Sequence, residues 1–187
     1  MNVVVFDFFG VICSEIMPFV LPKYMSAAEA VAYKAKYVND ADLGVIGWDE
    51  LLDRTSAIAH VPPKRLEEEF WAEVRIDGEV VKIIERLRRD RRVAMLTNAI
   101  APFFRRITAA NDIERLFEIV LVSSEVGLVK PDPAFYRLMI DRLAVRPADC
   151  LFIDDNQVNL DGARAAGMNT LLFENAAKLA HDLGLAD

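Results

Sequence analysis

Short all-apolar runs alternate with stretches of helical periodicity along much of this chain. Val3-Val4-Val5-Phe6 is the first such run. It is too short and too β-branched for a helix and lacks a polar face, so it predicts a strand buried on both sides. Val93–Leu96, Ile119–Val122, Leu151–Ile153 and Thr170–Phe173 predict four more strands. Between them, helical spacing covers Glu79–Arg89, about Ala101–Ala110, Pro133 to about Leu143, and about Val158–Ala166. Asp77 is placed as an N-cap, Pro102 is tolerated in a first turn, Asp132-Pro133 starts the third helix, and Gly167 ends the fourth. Strands that alternate with helices, and that are apolar throughout, imply a parallel sheet covered on both faces.

Residues 14–76 have a different texture, with helical patterns and little that reads as strand. Ser26 to about Tyr37 is one predicted helix, opened by a possible capping box of Ser26 and Glu29. Glu50 to about Ala59, opened by Asp49, is a second, with Leu51, Leu52, Thr55 and Ile58 on one face. After Pro62-Pro63, Arg65–Val74 is a third, with Leu66, Phe70 and Val74 in line. Leu43–Trp48 connects the first two. The block reads as a helical insertion after the first strand. The tail, 176–187, reads as a short amphipathic helix.

Composition narrows the class. The 187 residues are 53% hydrophobic and 27% charged, ordinary for a globular chain long enough to bury a core. A net charge of −7 argues against a general nucleic-acid or anionic-membrane surface, though a local lysine still suits a small anion. Two cysteines, Cys13 and Cys150, point to a reducing compartment, read as cytoplasmic. No run reaches membrane-spanning length and no signal peptide is read. Arg86, Arg88, Arg89, Arg91 and Arg92 read as a solvated helix end.

Polar residues sit where the predicted strands stop. Asp7 and Gly10 follow the first, Thr97-Asn98 ends the second, Lys130 lies in the loop after the third, and Asp154, Asp155, Asn156 and Asn159 follow the fourth. Each has a plainer reading: a helix cap, a surface lysine, a turn. In an open parallel sheet, however, the carboxyl ends of the strands share one edge, where ligands bind. Four clusters falling on that edge favour a common site. Cys13, His60 and His181 read as structural or surface residues. Trp48 and Tyr24 read as core residues or pocket walls. Phe103 and Phe104 are expected to pack on the sheet or under the insertion.

This ensemble resembles the haloacid dehalogenase superfamily. Its D-x-D-G-[TV] motif is matched by Asp7-Phe8-Phe9-Gly10-Val11 except at the third position. Thr97 matches its Ser/Thr motif. Lys130-Pro131-Asp132-Pro133 matches its lysine motif, and Asp154-Asp155-Asn156 through Gly162-Ala163 its acidic motif. The resemblance implies a Rossmann-like, doubly wound parallel sheet with strand order five-four-one-two-three. It places a core at 1–13 and 77–187 and a small helical cap at 14–76. It implies Asp7 as nucleophile, with Lys130, Thr97 and Asn98 holding the transferring group. Mg²⁺ would be bound by Asp7, the Phe9 carbonyl and Asp155, with Asp154 as ligand or support. Gly10, Asn156 and Asn159 would support the site.

The implied function is a Mg²⁺-dependent phosphatase or phosphotransferase acting on a small phosphorylated molecule, as a monomer or homodimer. Phe9 stands where the family's phosphatases usually carry an acid–base Asp, help typically worth about 10²–10⁴-fold. Glu15 is a candidate substitute. The alternatives are a metal-free 2-haloacid dehalogenase, whose motif also has an aromatic at this position, and a weakened binding protein. Against dehalogenation stand the acid pair and an early insertion that offers Lys23, Lys34 and Lys36 but no Arg.

Overall fold

The first strand, β1 (Val3–Phe6), has no exposed residue. Val4 and Phe6 face one apolar cluster and Val3 and Val5 another, so a four-residue run feeds two cores. This is the reason it carries no polar alternation. The computed structural model of the protein describes residues 2–185.

After β1 come α1 (Met17–Val20), α2 (Ala27–Tyr33), a π-helical stretch at Lys34–Val38, α3 (Asn39–Asp42), α4 (Trp48–Ala59) and α5 (Pro63–Ala72). The chain continues through α6 (Gly78–Leu87), β2 (Arg92–Thr97), α7 (Ala101–Ala110), β3 (Ile119–Val122) and α8 (Ser123–Val126). It ends with α9 (Pro133–Leu143), β4 (Cys150–Asp154), α10 (Gln157–Ala165), β5 (Asn169–Leu172) and α11 (Ala176–Asp182). The five strands form one parallel sheet in the order β3-β2-β1-β4-β5. This is a Rossmann-like, doubly wound α/β fold. β1 lies at its centre, with Phe6 beside Met95 on one side and Ile153 on the other. The chain order reverses between β1 and β4, where such sheets open a ligand crevice.

The insertion leaves and rejoins the sheet through a two-stranded neck. Cys13 bridges Ile76 in antiparallel fashion. Ser14 donates its N–H to Arg75 O at 2.9 Å, and Asp77 donates to Ile12 O at 2.9 Å. Asp77 then caps α6, accepting from the N–H groups of Glu79 and Val80. Within the insertion the Ser26–Glu29 capping box forms as the pattern predicts.

Several boundaries differ from expectation. The first insertion helix loses α-helical register at Tyr33 and runs on as a π-stretch and α3. α4 starts two residues earlier, at Trp48, with Gly47 rather than Asp49 before it. Ile58 is 43% exposed, in the last turn before the chain reverses at His60. α5 starts at Pro63, which suits a first-turn position, and stops at Ala72. β5 begins at Asn169 and is an edge strand, only partly buried. The tail helix stops at Asp182, and the expected helical positions 186 and 187 lie outside the described residues. Of the arginine cluster, Arg88 and Arg89 are exposed, whereas Arg92 makes a two-pronged pair with Glu118 at 2.7 and 2.6 Å.

Candidate active site

Asp7 leaves the sheet where β1 ends. Its N–H still donates to Ile153 O at 2.9 Å, so its backbone is held by the ladder. Its side chain accepts from the Phe8 N–H at 2.7 Å through Oδ1. The Phe8 carbonyl then accepts from Val11, Ile12 and Cys13, closing a tight turn. Gly10 sits in that turn at φ 84°, and a Cβ there would lie 2.3 Å from Asp155 Oδ2. A glycine is therefore required both for the backbone and for the approach of the Asp155 carboxylate, just past β4.

Lys130 lies at the centre of the charge arrangement. Its Nζ is 2.7 Å from Asp7 Oδ2 and 2.7 Å from Asp154 Oδ2. Its side chain is only 1% exposed. The loop carrying it is held by Asn98, which accepts from Lys130 N at 2.8 Å and donates to Lys130 O at 3.0 Å. Asp154 is fully buried and fully engaged. It accepts from Lys130, from the Asn156 N–H at 2.8 Å, and from Asn159 Nδ2 at 3.0 and 3.1 Å. Asn156 also caps α10, accepting from the Val158 N–H.

Burial pushes the Asp7 carboxyl above its ordinary range, against the pull of Lys130 and with the help of Asp154. For Lys130, burial works to lower the ammonium, but attraction to Asp7 and Asp154 prevails and raises it. The geometry is one ammonium held between the carboxyl groups of Asp7 and Asp154. Burial likewise raises Asp155, with Asp154 adding to the effect.

These groups border a cavity of about 630 Å³ between the sheet edge and the insertion. Asp7, Phe9, Asn98, Lys130, Asp155, Asn156 and Asn159 line it. Thr97 ends β2 but is fully buried behind Asn98 and is not in the wall, its hydroxyl reaching only Asn98 O at 3.4 Å. Asp154 is also behind the wall. Asp7, Asp154 and Asp155 offer carboxylate oxygens that all lie within 4.8 Å of one another. Hard oxygen donors at this spacing suit Mg²⁺.

The opposite wall comes from the insertion. Glu15, Lys34, Asp42, Trp48 and Phe70 line it, together with Phe103 of α7. Trp48 stacks on Phe103 at 4.4 Å with planes 12° apart, so it is both core and pocket wall. Phe104 instead packs edge-on against Phe8 at 5.0 Å. Tyr24 lies away from the cavity and donates to Glu69 at 2.6 Å. Cys13 is buried, its thiol pushed up to about 11 by burial, and His60 and His181 are exposed.

Sequence reasoning did not single out Asp42, the Asn98 side-chain clamp, or Ser123 and Ser124. The two serines follow β3 and accept from the N–H groups of Ala99 and Ala101, each at 2.9 Å. A Ser-Ser pair straight after an apolar strand was the available clue. Asp42 left none.

Comparison with known proteins gives a consistent result. A family model described as haloacid dehalogenase-like hydrolase matches residues 1–167. Flavin mononucleotide hydrolase 1 of Arabidopsis thaliana is 51% identical over 57 residues, 30% of this chain and 23% of that protein. Phosphoserine phosphatase of Thermus thermophilus is 33% identical over 97 residues, 51% of this chain and 39% of that protein. The chain thus spans well under half the length of these curated relatives. A HAD family enzyme of Bacteroides thetaiotaomicron, bt-2542, superposes with a TM-score of 0.83 at 18% identity, covering 98% of each chain. A second structure of that enzyme is a complex with magnesium and inorganic phosphate, with a TM-score of 0.76 at 17% identity, covering 96% of this chain and 98% of that one.

Proposed function

This chain belongs to the haloacid dehalogenase-like hydrolases, and from that premise we propose that it is a Mg²⁺-dependent phosphatase acting through Asp7. The observation that carries the reading is Lys130, buried and placed 2.7 Å from Asp7 at the cavity border. An ammonium there orients the nucleophile and offsets the charge of an incoming phosphate dianion. Asp7 attacks phosphorus and forms an aspartyl-phosphate, which water then cleaves. The Asn98 backbone, next to the buried Thr97, and Lys130 hold the phosphoryl oxygens. Asp7, the Phe9 carbonyl and Asp155 are the residues that would hold Mg²⁺. Asp154 fits a supporting place behind them, because its oxygens are already taken. The ion supplies charge neutralisation of the phosphoryl group. Residues 14–76 act as a cap over a core of 1–13 and 77–187, and the substrate is a small phosphorylated molecule.

Phe9 occupies the position of the family's usual acid–base Asp, which is also where the dehalogenases carry an aromatic. A metal-free dehalogenase would nevertheless leave Asp155 without a task, since its carboxylate has no hydrogen bond or ion pair to another residue among those described. The test is turnover of 4-nitrophenyl phosphate with and without Mg²⁺, for the natural protein and Asp7→Asn. We expect turnover that needs the metal and falls by ~10³-fold or more in the variant. No turnover under any metal condition, or an active Asp7→Asn protein, would overturn the reading.

A further inference from the structure

With a phenyl ring at position 9, and with Asp155 assigned to the metal in the proposed function, the sheet edge offers no other unengaged carboxyl among the described residues to protonate a leaving group. Asp7 and Asp154 are tied to Lys130, and Asp155 belongs with the metal donors. The facing wall does have such groups. Glu15 and Asp42 both line the cavity, and neither carboxylate has a hydrogen bond or ion pair among the described residues.

Of the two, Asp42 is the better placed. It is the last residue of α3, beside the fully buried Ala41. Two residues on, Gly44 adopts φ +74°, and a Cβ there would lie 2.3 Å from Ser124 O. The end of α3 is therefore pressed onto α8, which follows β3 on the catalytic edge. Ser123 and Ser124 in turn hold the start of α7. Asp42 comes from the insertion, yet its backbone is anchored to the core. Glu15, by contrast, feels the charges of Asp155 and Asp154 as well as those of Lys34 and Lys130.

Burial raises the Asp42 carboxyl to about 7, opposed by Lys34 and Lys130 and assisted by Glu15. Those three are the charged groups facing it, from the π-stretch, the Lys130 loop and the segment after the neck. A carboxyl of this kind is part protonated near neutral pH, as a group that gives and retrieves a proton must be.

We propose that Asp42 is the general acid and base of this site, doing the work that the residue at position 9 cannot; this rests on the phosphatase reading. In the first step Asp7 Oδ forms a bond to phosphorus, the bond from phosphorus to the leaving oxygen breaks, and the Asp42 proton goes to that oxygen. In the second, water attacks phosphorus and gives its proton to the Asp42 carboxylate. Asp7 is released, inorganic phosphate forms, and the Asp42 carboxyl is restored.

The test is a leaving-group series of 4-nitrophenyl, phenyl and benzyl phosphates, with the natural protein, Asp42→Asn and Glu15→Gln. Far-UV circular dichroism checks that each variant is folded. The natural protein should depend weakly on leaving-group basicity. Asp42→Asn should lose ~10²-fold or more on benzyl phosphate, and less than about a tenth of that factor on 4-nitrophenyl phosphate. Its benzyl profile should also lack the fall in kcat/KM above about pH 7. Glu15→Gln should affect the three esters alike.

Equal losses of Asp42→Asn on all three esters would overturn the proposal. So would a leaving-group dependence that appears in Glu15→Gln instead, or a natural protein active on the nitrophenyl ester alone. A natural protein that cleaves none of them would remove the phosphatase reading itself, and this proposal with it.

Discussion

The sheet-edge wall of the cavity and the helical wall opposite it both carry charge, but they hold it differently. On the sheet side, Lys130 is buried between two carboxylates, Asp154 accepts from three residues, and Asn98 clamps the lysine's backbone. On the helical side, Glu15, Lys34 and Asp42 have no hydrogen bond or ion pair among the described residues. A buried charge without partners is costly, so the sheet side can tolerate its charges only as a complete network. The helical side keeps open valences, which suits groups that meet a substrate. Under the proposed function, one wall is pre-organised for the reaction and the other is left to be completed by the substrate.

Breaking the network should show the difference most strongly. Lys130→Met leaves Asp7 and Asp154 close together, buried and unpaired. Removing one member of such a network costs about 3–5 kcal/mol, or a fall in Tm of roughly 10 °C at this chain length. Lys34→Met, on an exposed position of the facing wall, should cost less than about 0.5 kcal/mol. Thermal melts of the two variants decide it, and similar small shifts would show that the sheet-edge network does not behave as a unit.

Gly44→Ala tests how firmly the second wall is tied to the first. A side chain at φ +74° is strained and would press on Ser124 O. The expected cost is about 2 kcal/mol, or ~4–8 °C in Tm. Activity on benzyl phosphate should fall more than on the nitrophenyl ester, because Asp42 moves while Asp7 and Lys130 stay. A stable variant with an unchanged ratio would mean the contact does not position Asp42.

The smallest effect concerns pH. The Asp42 carboxyl ionises near 7 in the fold, against an ordinary 3.8. Between those values the folded protein binds more protons than the unfolded chain, so stability falls as pH rises through that window. Asp42→Asn should therefore raise Tm at pH 8 by a few degrees and change it little at pH 4. A partly exposed carboxyl is screened by solvent, which keeps the shift small. A gain at pH 4 instead would place the strain elsewhere than in the ionised carboxylate.

Much of the sheet side was readable from the chain. The inner strands were recognisable because a strand buried on both faces must be largely apolar. The edge strands are only partly buried, yet Ile119–Val122 fell where the run predicts, and β5 begins one residue early, at Asn169. Asp7, Asp154 and Asp155 were visible as polar breaks at strand ends, and Lys130 as a lysine in the loop after the third strand. The helical side was harder. The change to π-helix at Lys34 leaves no mark in the periodicity of an alanine-rich segment. Ile58 keeps helical spacing with Leu51 and Thr55, yet it is exposed, because spacing does not say where the neighbours stop.

What the sequence determined alone is therefore what depends on local periodicity and on residue type: the elements, the α/β class, the set of polar groups at one edge, and the phenyl ring at position 9. The tertiary structure decided which charges are spent on one another and which are left over. Lys130 and Asp154 lie 24 residues apart and Asn98 and Lys130 32 apart, yet they share hydrogen bonds. Asp42 reaches the cavity from α3, next to the close approach of Gly44 to Ser124. Such pairings depend on distances between elements, and those are set when the sheet and the insertion close on each other.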